Sequence, residues 1–132
     1  MNSYVKFNYL YRDAGNYKSW GELIFSNPDN LDLIDIDIQL RLEFIQEIFF
    51  VAHQINVPEI FLYTENSLNE DDHCFHEYNS VENVELFEFE PDKRSIKQFL
   101  EQIDIASNLG WKAFNPLIEI TKIRDRSYSL SK

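Results

Sequence analysis

Apolar and polar side chains alternate along two stretches of Tyr4–Asn27, on either side of the polar segment Arg12–Lys18. A period of two is typical of a half-buried strand, and the aromatic and β-branched content of both stretches suits a pleated surface. Between them, Gly15 and Asn16 can adopt the positive φ that closes a tight turn. The pattern therefore predicts a hairpin. The apolar face of its first strand carries Val5, Phe7, Tyr9 and Tyr11.

The segment Leu31–Glu47 fits two interpretations. With a period of two, apolar side chains at alternate positions from Ile34 to Leu42 indicate a strand. With the period of a helix, an apolar stripe forms that is expected to pack against the sheet. We favour the helix, because seventeen residues without a turn signal exceed the usual strand of about five or six. The helical stripe comprises Leu31, Ile34, Ile38, Leu42 and Ile45.

A second helix is predicted over Ser95–Leu109. Ser95 and Gln98 have the spacing of a capping box, in which each side chain bonds the backbone N–H of the other residue. Gly110 follows the last apolar position and supplies the residue type that most often closes a helix. The buried stripe of this helix is predicted to be Ile96, Phe99, Leu100, Ile103 and Ala106.

Two further apolar stretches, His73–Tyr78 and Val84–Phe89, predict a second hairpin around Asn79–Asn83. Half-alternating strands and amphipathic helices must bury their apolar sides against each other. The sequence therefore predicts an α+β fold, in which an antiparallel sheet built from two hairpins carries both helices on one face. Residues 1–123 are expected to form one compact domain, and residues 124–132 a frayed basic tail.

Composition narrows the class of protein. The chain has 132 residues, of which 44% are hydrophobic, and only three glycines and four prolines, which is typical of one globular domain. Its only cysteine, Cys74, excludes an internal disulfide and fits a reducing compartment. The N-terminus lacks the basic and apolar regions of a signal peptide, so the predicted location is the cytoplasm.

The charge is strongly acidic, with 23 acidic against 12 basic side chains and a net charge of −11. This balance opposes binding to nucleic acid or anionic membranes. Residues 42–92 contain thirteen acids and neither lysine nor arginine. Such a run keeps many proteins soluble, but it is also suited to steering a basic protein partner. The predicted acidic surface includes Glu70, Asp71, Asp72, Glu82 and Glu85.

Asp71–Glu77 is the densest group of metal-ligating residue types in the chain. The candidate ligands His73, Cys74 and His76 would suit zinc. On a strand, however, Cys74 and His76 point to one face and His73 to the other, so further ligands would be needed from elsewhere. The alternative is an ordinary strand with polar side chains.

The hairpin turn is the other candidate site. It gathers more hydrogen-bonding groups than a plain turn needs, and polar loops on rigid hairpins often carry function. The alternative is turn chemistry, in which Asp13 and Asn16 cap the turn and Arg12 pairs with Asp13. The residues concerned are Arg12, Asp13, Asn16, Tyr17 and Lys18.

Tyr11–Lys18 and Asp72–Glu77, in this order and separated by an apolar middle, resemble segments of a group of small bacterial proteins to which no activity is attached. The resemblance implies a bacterial cytoplasmic origin and assigns no residue a role. Two function classes follow from the residues. The favoured one is a binding protein that docks on a basic partner, as an immunity protein or antitoxin does. The other is a metal-dependent enzyme that uses His73 and His76.

Overall fold

The structure, a computed structural model, describes residues 3–13, 15–61, 73–85, 90–116, 118–119 and 122. Within these residues, four strands form one antiparallel sheet in the order β2-β1-β4-β3. The strands are β1 (Tyr4–Arg12), β2 (Lys18–Ser26), β3 (Phe49–Phe50) and β4 (His76–Val84), the helices are α1 (Leu33–Glu43) and α2 (Ile96–Leu109), and a 3-10 helix spans Ala52–Ile55. The predicted α+β fold is confirmed. Among the described residues, no helix has the length and apolarity needed to cross a bilayer.

The first hairpin forms as the alternation predicts. Strands β1 and β2 pair without interruption from Tyr4 opposite Ser26 to Arg12 opposite Lys18. In the turn, Asn16 takes the left-handed conformation with φ 67° and donates its backbone N–H to the carbonyl of Asp13 at 3.0 Å. The core face of β1 is fully buried at the positions that the period of two indicates.

The prediction of a second hairpin around Asn79–Asn83 is wrong. Strand β4 continues through Asn79–Asn83, where a turn was predicted, and pairs with β1, with a shift of register at Asn79. The polar residues of this segment bond to polar residues of β1: Ser80 accepts from the amide of Asn8 at 3.2 Å, and Glu82 pairs with Lys6 at 3.3 Å. These residues resemble a turn in composition because they are polar, but they are polar because they pair with the polar residues of β1. Residues 86–89, the rest of the predicted strand, lie outside the described residues.

Helix α1 confirms the helical interpretation of this segment, but the predicted buried side of the helix is wrong. Ile34, Ile38 and Leu42 of the predicted buried stripe are 69%, 52% and 78% exposed, whereas Ile36 and Leu40 on the opposite side are buried. The segment carries two apolar stripes, and long-range contacts select one of them.

Those contacts hold α1 at several points. The Tyr78 hydroxyl donates to Asp37 Oδ1 at 2.5 Å, and the Trp111 indole donates to the Glu43 carbonyl at 2.9 Å. Before the helix, the Asn27 side chain bonds both the N–H and the carbonyl of Leu31 at 2.9 Å. Tyr78 and Trp111 therefore set the rotation of α1 from positions far away in the sequence, whereas Asn27 fixes the segment before the helix locally.

Helix α2 forms as predicted, with both hydrogen bonds of the Ser95–Gln98 capping box present. Its five predicted core residues are buried. Phe99 stacks on Phe25 at a centroid distance of 4.3 Å and meets Phe7 edge-on at 5.1 Å. Helix α2 thereby covers the core face of the first hairpin.

Candidate functional site

The residues of the predicted acidic surface differ in their surroundings. Glu82 pairs with Lys6, and Glu85 is exposed. Glu70, Asp71 and Asp72 lie outside the described residues. A run that is free of basic residues in sequence is thus partly neutralised in space by bases from other segments.

Three further acids of residues 42–92 are also held by partners. Glu77 accepts from Arg12 Nε at 2.9 Å, and Asp92 accepts from Arg94 Nε at 2.9 Å. The side chain of Glu59 is buried, with Oε2 at 3.6 Å from Nδ1 of His53. For binding a basic partner, the acidic side chains that remain exposed in the described region are therefore more important than the total number of acids in residues 42–92.

One group of acids borders a cavity of about 610 Å³ where the N-terminus of α1 meets the end of β4. Among the described residues that line it, Asp32 and Glu85 are acidic and none is lysine or arginine. Asn30 and Asn83 add amide groups, and Ile34 contributes an apolar wall. Asp32 is the N-cap of α1, and its Oδ1 accepts the Ile34 N–H at 2.9 Å, which fixes the carboxylate in place. The cavity therefore has a fixed hydrogen-bond acceptor, the Asp32 carboxylate, next to an apolar wall formed by Ile34.

The outward stripe of α1, defined as Ile34, Ile38 and Leu42, begins at this cavity, because Ile34 also lines it. These side chains follow one another at intervals of four residues, which places them on one face of the helix. Large exposed aliphatic groups in a contiguous row are typical of interaction surfaces, whereas scattered ones are ordinary.

His76, one of the candidate zinc ligands, has one ring nitrogen engaged in a hydrogen bond. It is fully buried on β4, and its Nε2 accepts the backbone N–H of Ile60 at 3.0 Å. The rings of Tyr11 and Phe61 lie 5.5 and 4.7 Å from it, centroid to centroid. Burial in this aromatic setting lowers the pKa of His76 to about 3, so the imidazole is neutral at physiological pH.

The other two predicted ligands are also engaged. His73 donates from Nε2 to the Arg12 carbonyl at 2.8 Å and accepts the Phe75 N–H at Nδ1, 3.1 Å away. The Cys74 sulfur accepts the Phe114 N–H at 3.4 Å, and burial raises the pKa of this thiol. No group of three or more metal-ligating side chains comes together within the described part of the chain. The geometry of these residues thus supports the structural alternative to a zinc site.

The polar hairpin turn is assembled largely by its own hydrogen bonds. Arg12 donates to Glu77 at 2.9 Å and to Asn16 Oδ1 at 2.5 Å, and Asp13 Oδ1 accepts the Tyr17 N–H at 2.9 Å. Tyr17 and Lys18 are exposed. Asp13 caps the turn as the turn-chemistry interpretation predicts, whereas Arg12 pairs with Glu77 and Asn16 rather than with Asp13.

Sequence reasoning assigned Ile34 to the core, and so missed the cavity that it lines together with Asp32. No local signal reveals this cavity, because Asn83 and Glu85 come from a strand about fifty residues away. No protein-family model matches the chain, and no curated protein or solved structure does so either.

Proposed function

We propose that the protein is a binding module for a basic protein partner, and that the cavity between α1 and β4 receives a lysine or arginine side chain of that partner. The observation that carries the proposal is the pair of carboxylates, Asp32 and Glu85, on a cavity whose described lining has no basic residue. The net charge of −11 acts in the same direction over longer distances.

The lining suits a long cationic side chain. A carboxylate binds a guanidinium or ammonium group by charge-assisted hydrogen bonds, which are about twice as strong as neutral ones. Oδ1 of Asp32 bonds the Ile34 N–H, so Oδ2 is the oxygen that would meet the cation. The aliphatic stem of lysine or arginine packs well on apolar groups such as Leu31 and Ile34 of the lining.

The rest of the acidic surface has a separate role in this proposal. Exposed charges around an interface mainly accelerate encounter and contribute little once the complex has formed. Reversing Glu70, Asp71 and Asp72 to lysine should therefore slow association more than it accelerates dissociation. For the same reason, the association rate should fall as ionic strength rises past about 0.1 M, where the screening length is about 10 Å.

The test starts from a partner captured from the native lysate and measures its binding by surface plasmon resonance. The double variant Asp32→Asn/Glu85→Gln should weaken binding by at least about a hundredfold, since each lost charged hydrogen bond contributes about 1.5–3 kcal/mol and the two together about 3–6 kcal/mol. Asparagine caps helices as well as aspartate does, so α1 should remain intact.

Asp29→Asn serves as the matched control, because Asp29 is exposed and is not among the residues that line the cavity. A captured partner without excess basic residues would contradict the proposal, as would an equal effect of Asp29→Asn. Stoichiometric zinc in the purified protein would instead favour the metal-dependent enzyme.

A further inference from the structure

We infer that the cavity beside the 3-10 helix is a binding site for inorganic phosphate in a form that retains a proton. The cavity has a volume of about 280 Å³. None of the residues that line it also lines the cavity between α1 and β4, so the inference concerns a different surface and a different ligand from the proposed function. The described residues of its lining are His53, Lys112, Ala113, Phe114, Glu119 and Lys122.

His53 borders this cavity with one edge of its ring. Its Nδ1 is buried and lies 3.6 Å from Oε2 of Glu59, whose side chain is also buried. The His53 side chain as a whole is 31% exposed, so the exposed edge is the one that carries Nε2. A proton on Nδ1 is attracted to the carboxylate, whereas a lone pair there would be repelled. In the neutral imidazole, Nε2 therefore has the lone pair and accepts hydrogen bonds.

Lys112 is brought to this cavity by the residue that follows His53. Gln54 Oε1 accepts the Lys112 N–H at 2.6 Å, and Gln54 Nε2 donates to the Gly110 carbonyl at 3.4 Å. Phe114 continues the same segment, and its ring lies 5.4 Å from the His53 ring, centroid to centroid. The segment is therefore fixed against the 3-10 helix by its own contacts, before any ligand binds.

The polar groups of the lining include both donors and acceptors. Lys112 and Lys122 provide cationic donors, which bind phosphate oxygens by charge-assisted hydrogen bonds. The acceptors are Nε2 of His53 and the carboxylate of Glu119, which lies 3.3 Å from Lys122 Nζ. Two lysines and one glutamate leave the lining positive, whereas the chain as a whole has a net charge of −11.

This combination selects the chemistry of the anion. An acceptor that loses its water on binding and gains no donor costs affinity. The ligand must therefore accept hydrogen bonds from the lysines and also donate one to His53 or Glu119. Hydrogen phosphate meets both requirements, because it has negative oxygens and one P–O–H group. Sulfate has the same charge but no proton to donate.

The first test compares three dianions in NMR titrations of the full chain at pH 8 and constant ionic strength. Hydrogen phosphate, sulfate and methyl phosphate each carry about two negative charges at this pH, but only hydrogen phosphate retains a proton. Phosphate should therefore bind at least about tenfold more tightly than the other two. Absence of phosphate binding would overturn the inference, and so would equal binding of sulfate or methyl phosphate.

The second test removes one donor. Lys112→Ala should weaken phosphate binding about tenfold or more, because a charge-assisted hydrogen bond is lost. Lys97→Ala is the matched control, because Lys97 is exposed on α2 and is not among the residues that line the cavity. An equal effect of the two variants would refute the site. Asp32 and Glu85 are unaltered in both, so failure of phosphate binding leaves the basic partner to be judged separately.

The third test determines the tautomer of His53 by NMR of the ring nitrogens at pH 8. The chain has three histidines, and His53→Gln identifies the signals that belong to His53. The free protein should have the proton on Nδ1 and the lone pair on Nε2, and phosphate should shift the Nε2 signal whereas sulfate should not. A neutral ring with its proton on Nε2, or an Nε2 signal that stays unchanged at saturating phosphate, would contradict the inference.

Discussion

The backbone N–H of Ile60 donates to Nε2 of His76 at 3.0 Å and joins the loop after the 3-10 helix to the start of β4. Because Nε2 accepts this bond, the neutral ring carries its proton on Nδ1. Nδ1 has no hydrogen-bond partner among the described residues. A histidine that first resembled a metal ligand is therefore a core residue that is bonded at one nitrogen.

The burial of His76 predicts a loss of stability in mild acid. The pKa of His76 is about 3 in the folded protein and about 6.5 when unfolded, so the unfolded chain takes up the proton first. The contribution of neutral His76 to the free energy of unfolding is complete above pH 6.5. It is lost as the pH falls towards 3, by up to about 1.4 kcal/mol per pH unit. Urea unfolding at pH 7 and pH 5 measures the change. His76→Gln should be less stable at pH 7 and show a smaller difference between the two conditions, and an equal difference would contradict the prediction.

Replacement of Phe99 tests the packing of α2. Phe99 is fully buried against Phe25 and Phe7, so Phe99→Ala should cost about 3–5 kcal/mol through lost burial and the cavity that remains. Ile105→Ala is the control in the same helix, and because Ile105 is exposed its effect should stay within about 0.5 kcal/mol. Denaturant unfolding that gives similar values for both variants would be incompatible with this packing.

Gly21 is predicted to tolerate no side chain. A Cβ at this position would lie 2.6 Å from Cζ of Tyr9, and the hydrogen bond from the Tyr9 hydroxyl to the Pro58 carbonyl at 2.8 Å holds that ring in place. Gly21→Ala should therefore destabilise the protein by about 1–3 kcal/mol through overpacking. In Gly15→Ala the new methyl group meets the exposed Tyr17 ring at 3.3 Å, which can move aside, and Asp13 Oδ1 at an ordinary contact distance of 3.5 Å. Equal melting temperatures of the two variants would contradict the prediction.

Arg94 joins three parts of the fold. Its guanidinium bonds Asp92 at 2.9 Å and the Ile55 carbonyl at 2.7 Å, and lies 4.9 Å from the Phe99 ring centroid. Burial by itself raises the pKa of Asp92, but the hydrogen bonds and charge of Arg94 outweigh it and hold that pKa below its ordinary value.

Arg94→Lys keeps the charge but loses the planar set of donors, so it should cost about 1–3 kcal/mol in the free energy of unfolding. Lys93→Ala is the neighbouring control, because Lys93 is exposed, and it should change stability by less than about 0.5 kcal/mol. An Arg94→Lys protein as stable as the wild type would show that these bonds contribute little.

The sequence by itself determined the features that depend on neighbours along the chain. The alternation from Tyr4 to Arg12 sets the buried face of β1, and the short spacing of Ser95 and Gln98 sets the start of α2. In these segments only one pattern was available, so local preference and tertiary packing agree.

Tertiary structure decided the features for which the local pattern allowed two outcomes. Both stripes of α1 are apolar, and the bonds of Asp37 to Tyr78 and of Glu43 to Trp111 determine that Ile36 rather than Ile38 faces the core. Asn79–Asn83 has the composition of a turn, yet pairing with β1 extends it as a strand. The cavity of Asp32 and Glu85 likewise exists only when α1 and β4 meet. Such choices depend on contacts between distant residues, and a periodic pattern over a few neighbours carries no information about them.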